Sequence, residues 1–322
     1  MENNSQLNDQ IIKLLNEQIK EWDLCKQGYE SLNQTKIKEF HFDKVSIKVQ
    51  FNPVRMTSTS AKVDQKSISE RKCFLCKNNL PQEQRFVKFN HNFIILCNPF
   101  PIFPQHFTIP SFEHKPQEIV GNLDSLLDLS YLLSKDFIVF YNGPKCGASA
   151  PDHLHFQAGT KKFLPIYNEI KIIKENYSQN IFKDKNNDIC AVDDSIRKFI
   201  LIESNDKEFI IKSFNAFYDI LQKAEQIEDE PLMNVLSFYE NEKWHLIFFL
   251  RKKHRPSYYF FEDERKILLS PAAVDIGGVC ITPREEDFNK ITKEILQEIF
   301  NEVMIDTELF TKLIILFQKY FD

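Results

Sequence analysis

Hydrophobic positions along the first third of the chain change period more than once. Residues 6–24 place Leu7, Ile11, Leu14, Leu15, Ile19 and Trp22 at helical spacing, which predicts an amphipathic helix packed on the body of the protein. Residues 44–52 (KVSIKVQFN) alternate and predict a strand, whereas the small, polar and basic residues 53–72 predict a loop. Residues 84–111 give strands interrupted by prolines, residues 116–136 a helix, and 137–142 (FIVFYN) a buried strand. Residues 152–159 (DHLHFQAG) alternate again. On a strand, side chains two apart share a face about 6.6 Å apart, so His153, His155 and Gln157 form one polar row while Leu154, Phe156 and Ala158 face a core.

The charged, asparagine-rich stretch 160–195 resembles a linker, especially ENYSQNIFKDKNNDIC. Beyond it come IRKFILIES, the segment KEFIIKSFNAFYDILQKAEQ, a strand pair over LMNVLSFYENEKWHLIFFLRKK, a hairpin-like run from Arg255 to Pro283, and helices to the end. Strand–helix–strand groups therefore occur on both sides of about residue 190, and NVLSFYENEKWHLIFF faintly echoes FIVFYN…HLHFQ. A duplicated α+β unit is expected, with a helical segment over 1–35, a first unit over 36–190 and a second, degenerate unit over 191–322.

Composition narrows the class. The 322 residues, 43% of them apolar, can bury a large core, and the net charge of −5 gives no reason to expect a nucleic-acid partner. The longest apolar runs are too short for a bilayer, and the polar start MENNSQLNDQ does not resemble a secretory signal. Seven cysteines, an odd number without a dense framework, suit a reducing compartment and metal binding rather than disulfides, so a cytoplasmic location is expected.

Three of the seven glycines lie between Gly143 and Gly159, next to the polar row. A neutral His155 imidazole could attack an α-phosphorus in line and form a phosphoramidate, which keeps a high transfer potential. The glycine-rich NGPKCGAS would let backbone N–H groups approach the phosphate. Gln157 could hold a phosphate oxygen or orient the imidazole, but cannot protonate a leaving group. That favours transfer between phosphate anions over hydrolysis of a phosphoramidate; the bland alternative is that His155 and Gln157 satisfy each other. CFLC at 73–76 is a C-x₂-C pair. The preceding polar loop argues against a thioredoxin-like redox pair, and Cys73, Cys76, His114 and His153 would complete a structural Zn²⁺ site bracing the strand of His155; two incidental thiols are the alternative.

HLHFQ resembles the H-x-H-x-Q signature of the galactose-1-phosphate uridylyltransferase branch of the histidine-triad superfamily, and HLHFQA is especially similar to the GDP-hexose phosphorylases, including GDP-L-galactose phosphorylase. PIFPQHFTIPSFEH, SPAAVDIGGVCITPREEDF, FNPVR and CFLC with His114 and His153 carry the likeness from about residue 44 to 288. The resemblance implies an α+β fold of two histidine-triad-like units, each an antiparallel sheet with helices packed on it. It makes His155 the nucleotidylated nucleophile, Gln157 the stabilising amide, Asn142 and Gly143 a turn lining the nucleotide site, and Cys73, Cys76, His114 and His153 zinc ligands. The partners implied are a nucleotide sugar, GDP-hexose first, with phosphate or a sugar 1-phosphate as acceptor. Relatives in this branch often dimerise, so a homodimer enters as a further partner. His245 and His254 in WHLIFFLRKKHRP lack the triad spacing, which assigns the second unit to structure and substrate contacts.

Lesser candidates follow from residue type. Arg55 and Lys62 could meet phosphates, or sit on a solvated loop. His106 could line the nucleotide pocket, or be a satisfied core residue. Gly277 and Gly278 suit a bulge or close approach to a ligand, with Asp275 on sugar hydroxyls. The runs EDE and REED read as solvated faces. Two rival functions remain open: a dinucleoside polyphosphate phosphorylase using the same row, and a non-catalytic, zinc-braced nucleotide-binding module.

Overall fold

The computed structural model describes residues 2–56 and 65–322; Lys62 lies outside the described residues. Among the described residues thirteen strands follow in chain order: β1 (Lys36–Phe42), β2 (Val45–Phe51), β3 (Phe86–Phe89), β4 (Phe93–Cys97), β5 (His106–Pro110), β6 (Phe137–Asn142), β7 (His155–Thr160), β8 (Ser178–Lys183), β9 (Asn187–Asp193), β10 (Lys198–Ser204), β11 (Met233–Glu240), β12 (Lys243–Leu250) and β13 (Val279–Thr282). Ten of them form one sheet in the order β3-β4-β5-β7-β6-β11-β12-β10-β9-β8. All its ladders are antiparallel.

That order is a palindrome of two equal halves. In the first, three strands, a helix (Leu123–Leu132) and two more strands give β3-β4-β5-β7-β6; the second repeats the plan around the helix Lys207–Glu225 to give β8-β9-β10-β12-β11. The halves join edge to edge where β6 meets β11, with Phe140 opposite Leu236. The expected duplication is present as α+β units with antiparallel sheets and helices packed on them.

Period-2 alternation sorts the strands between two cores. Val139, Tyr141, Leu154, Phe156, Ala158, Ile200, Ile202, Leu246 and Phe248 face the helices near both termini and the two repeat helices. Ile138, Phe140, Phe199, Leu201, Leu236, Ile247 and Phe249 face the opposite way, against the helix Pro165–Tyr177 and a small sheet of β1, β2 and β13. Burial of both faces explains why FIVFYN reads as a continuous apolar run.

Two expectations are corrected. The linker-like stretch 160–195 contains the helix Pro165–Tyr177 and the paired strands β8 and β9. Its polar look has a cause: β8 is an edge strand, with four of its six residues exposed, so only part of it must be apolar. The run from Arg255 to Pro283 is no hairpin. It holds the short helix Ala273–Ile276 and β13, which pairs parallel to β2, opposing Val279 to Lys48 and Thr282 to Phe51. Among the described residues no helix is long and apolar enough to cross a membrane.

Candidate active site

His155 opens β7 and Gln157 follows two residues later, on the face away from Leu154, Phe156 and Ala158. Both line a cavity of about 630 Å³ together with Arg55, Asn142, Gly147, Ala148, Ser149, His254, Arg255 and Asp275. The row is shorter than expected. His153 precedes the strand in a turn, donating its N–H to the Ala150 carbonyl (3.1 Å), and its ring points elsewhere.

Each polar ring and amide here is oriented by a backbone group of fixed polarity. The Nδ1 of His155 is 2.8 Å from the His153 carbonyl. A carbonyl only accepts, so Nδ1 carries the proton and the Nε2 lone pair is left for the cavity. Burial lowers the His155 pKa to about 4, with the His153 hydrogen bond opposing, so the ring is neutral at physiological pH. The backbone around it is held by Gln117, whose Oε1 accepts from His155 N (2.7 Å) while its Nε2 donates to the carbonyls of Asn142 (2.9 Å) and His155 (3.1 Å).

Gln157 is set by His106. The N–H of Ile102 donates to His106 Nδ1 (3.2 Å), so the proton sits on Nε2, which donates to Gln157 Oε1 (3.0 Å). The Gln157 amide nitrogen is then the group presented to the cavity. The sequence left His106 either lining the nucleotide pocket or satisfied in the core. It is fully buried behind Gln157, and burial, with the nearby Arg55 charge, lowers its pKa to about 3. Gly159 permits this packing: a Cβ there would come within 2.5 Å of the Phe103 ring, which lies edge-on to His106.

Asn142 repeats the arrangement. Its Oδ1 accepts from Ala273 N and from Asn234 Nδ2, both at 2.9 Å, which turns its Nδ2 toward the cavity. Next to it, Gly147 takes φ +97°, and a Cβ there would lie 2.6 Å from that of Ala272. Gly147, Ala148 and Ser149 bring a short stretch of main chain into the cavity wall. Gly143 does not reach the cavity; it fits beneath Met233, whose carbonyl accepts its N–H (3.2 Å). Gly277 and Gly278 also stand outside, packed against Leu164 and Pro165.

Asp275 lines the cavity and caps its own short helix, accepting from Ala272 N (2.9 Å) and Ile281 N (2.9 Å). Burial raises its pKa to about 6 against those bonds and the Arg55 charge. Arg55 donates to the Phe100 carbonyl (2.8 Å), its Nε has no partner among the described residues, and burial lowers its pKa to about 10. Arg255, stacked on Tyr259, donates to Ser270 Oγ (3.2 Å). Neither guanidinium forms a salt bridge among the described residues, and both face the cavity, with the Asp275 carboxyl interacting with the Arg55 charge. Arg255 and His254 arrive on the segment after β12.

The Cys73, Cys76, His114 and His153 ligand atoms lie within 4.8 Å of one another. Cys73 Sγ is 3.3 Å and Cys76 Sγ 3.6 Å from His153 Nδ1, and Cys76 Sγ is 3.2 Å from His114 Nδ1. His153 Nε2 is 2.8 Å from the Ser111 carbonyl, so the proton is there and Nδ1 is the ligating lone pair. Two thiols and two imidazole lone pairs at this spacing fit a metal ion in a closed, four-ligand site.

Gln117, Asn234, Arg251, His254 and Arg255 carried no motif signal as site residues. Only the run HLIFFLRKKHRP hinted at the last three.

Comparisons with known proteins bear on the fold. A family model described as a domain of unknown function (DUF4922) matches residues 14–160, and one described as "GDPGP1-like, C-terminal domain" matches residues 172–318. Protein APA1 of Saccharomyces cerevisiae is 23% identical over 235 residues, which is 67% of this chain and 69% of that protein. The structure of yeast Ap4A phosphorylase Apa2 in complex with AMP superposes with a TM-score of 0.56 at 15% identity, covering 91% of this chain and 96% of that one. The Ap4A complex of the same enzyme gives 0.54, covering 88% and 96%. The fold of the chain is therefore histidine-triad-like, in two mirrored copies joined through one sheet.

Proposed function

We propose that the protein is a nucleotidyltransferase of the phosphorylase type that works through a nucleotidyl-His155 intermediate. The observation that carries this reading is a neutral imidazole whose Nδ1–H is tied to a backbone carbonyl, leaving Nε2 beside a cavity lined with anion-binding donors. Nε2 attacks the α-phosphorus of a nucleoside 5′-diphosphate ester; the P–N bond forms and the bond to the bridging oxygen breaks. That oxygen leaves with the bonding pair as a phosphate anion and needs little protonation. A phosphate oxygen then attacks the same phosphorus, the P–N pair returns to Nε2, and a nucleoside diphosphate departs. Throughout, the Nδ1–H bond to the His153 carbonyl stabilises the positive charge on the nucleotidylated ring.

Gln157 and Asn142, with their nitrogens to the cavity, supply donors for the phosphoryl oxygens beside the main chain of residues 147–149, while Arg55 and Arg255 supply charge. Asp275 is assigned to a substrate hydroxyl. The metal cluster is assigned to Zn²⁺, which would fix the loop of His153 and hence the carbonyl that orients His155. Nucleoside-diphosphate sugars are the leading substrates, GDP-hexoses first, with sugar 1-phosphate released. A dinucleoside polyphosphate is the second reading, favoured by the likeness to Apa2 over most of both chains.

The test is incubation of zinc-loaded protein with GDP-, UDP- and ADP-sugars and diadenosine tetraphosphate, each with inorganic phosphate. Release of sugar 1-phosphate, or of ADP with ATP, names the substrate. Intact mass after an acid-free quench should rise by one nucleotide in the wild type and not in His155→Ala. No product and no adduct across the panel would leave only a binding module.

A further inference from the structure

The least expected charge in the molecule is Arg251, just past the end of β12 in the second, degenerate unit. It is 1% exposed, and no carboxylate pairs with it among the described residues. Its five N–H groups are taken by five neutral oxygens. Nε donates to the Val303 carbonyl (3.2 Å), Nη1 to Asn234 Oδ1 (2.6 Å) and the Pro271 carbonyl (2.9 Å), and Nη2 to the carbonyls of Lys253 and His254 (3.0 Å each). Burying a cation without a counter-ion is costly, so the position calls for an account other than stability.

The shortest of these bonds provides it. A guanidinium can only donate, so Asn234 Oδ1 must face Arg251, and both Asn234 N–H groups point the other way. They donate to Asn142 Oδ1 (2.9 Å) and to the Cys146 carbonyl (2.7 Å). The first, with Ala273 N, fills the Asn142 oxygen and turns its nitrogen to the cavity; the second anchors the turn leading into Gly147–Ser149. The remaining Arg251 bonds hold the segments carrying His254, Arg255, Ser270 and Ala272, all in the cavity wall. One buried guanidinium is thus tied to two separate stretches of wall and, through Asn234, to the face of His155.

We infer that Arg251 and Asn234 are positioning residues, a charge-anchored relay by which the second unit holds Asn142 as a phosphate donor for the His155 site. The relay polarises in one direction, because each amide accepts on the Arg251 side and donates on the cavity side. Half of the molecule without a nucleophile of its own therefore sets the polarity of the half that has one. This rests on the nucleotide reading of the cavity.

Asn234→Asp provides the test. It keeps an oxygen for Arg251, and so the buried anchor, but removes the N–H groups that face Asn142 and Cys146 and sets like oxygens against each other. Calorimetric titration of the full-length protein with AMP, GMP and UMP compares wild type, Asn142→Ala, Asn234→Asp and the double variant, with thermal melts alongside. Asn234→Asp should bind its preferred monophosphate on the order of tenfold more weakly, the scale of one charge-assisted hydrogen bond. The double variant should be no weaker than Asn142→Ala alone, and Arg251→Lys, which keeps charge but fewer donors, should fall between. Wild-type affinity in Asn234→Asp, or losses that simply add, would overturn the relay alone. A wild type that binds none of the three monophosphates overturns the nucleotide reading and the relay together.

Discussion

His155, Gln157 and Asn142 each have two chemically opposite orientations, and in each case a main-chain group a few residues or a whole domain away selects one. The His153 carbonyl places the proton on His155 Nδ1; the Ile102 N–H, through His106, turns the Gln157 nitrogen outward; the Ala273 N–H does the same for Asn142. Backbone groups cannot invert their polarity, so the site is preorganised without a water or a proton having to rearrange. Gln157→Ala should slow adduct formation at His155 by about 10²–10³ in a single-turnover experiment, the scale for loss of one preorganised donor. His106→Phe leaves the amide in place but unpinned, so it should lower the same rate by less while nucleotide affinity changes little. A His106→Phe rate equal to wild type would remove His106 from the site.

Among the elements, the junction of β6 and β7 is where sequence signals and site geometry meet. Gln117, 1% exposed, bridges the end of one strand to the start of the other with three hydrogen bonds to main chain. On the neighbouring loop the partly buried Glu230 accepts from the Ile119 N–H (2.7 Å) and the Tyr141 hydroxyl (2.8 Å), with Glu118 also close. Burial raises its pKa from 4.5 to about 7 against the two hydrogen bonds, which lower it, with the Glu118 charge adding a smaller upward push. An acid with a raised folded pKa costs stability once the unfolded chain can ionise. The cost is absent below about pH 4.5, grows to about pH 7 and is constant above. Denaturant unfolding at pH 5 and pH 8 should therefore show wild type losing stability relative to Glu230→Gln, by on the order of 2–3 kcal/mol. Parallel pH profiles for the two proteins would refute the assignment.

At the level of the whole molecule, the metal cluster gathers three distant pieces of chain, 73–76, 114 and 153, at one end of the sheet half that carries His155. The ten-stranded sheet and both cores are assembled from other residues. Cys73→Ser should thus yield a folded protein with substoichiometric zinc by elemental analysis and at least tenfold slower His155 adduct formation, the order expected when a metal site's supporting structure is lost. Full zinc content in that variant would show that Cys73 is no ligand. The second copy also shows why a duplicated fold need not duplicate chemistry. Its strand histidine, His245, is stacked on Phe238 (4.5 Å between ring centres) and sits 2.9 Å from Glu203, inside an ion cluster with Lys174 and Asp188.

What the residues alone determined is local: the alternation that sets His155 and Gln157 opposite Leu154 and Phe156, the helical spacing of the first segment, the C-x₂-C pair and the glycine-rich turn. Each depends on neighbours within a few positions, so period and residue type suffice. The mirrored ten-strand order, the helix and edge strand hidden in the linker-like stretch, the parallel pairing of β13, the retreat of His106 behind Gln157, and the Arg251–Asn234–Asn142 relay were decided only in three dimensions. Those features depend on contacts across dozens to hundreds of residues, and a hydrogen bond from Asn234 to Asn142 leaves no periodic trace in either segment. A buried amide or guanidinium can be read from its partners, and only the folded chain brings those partners together.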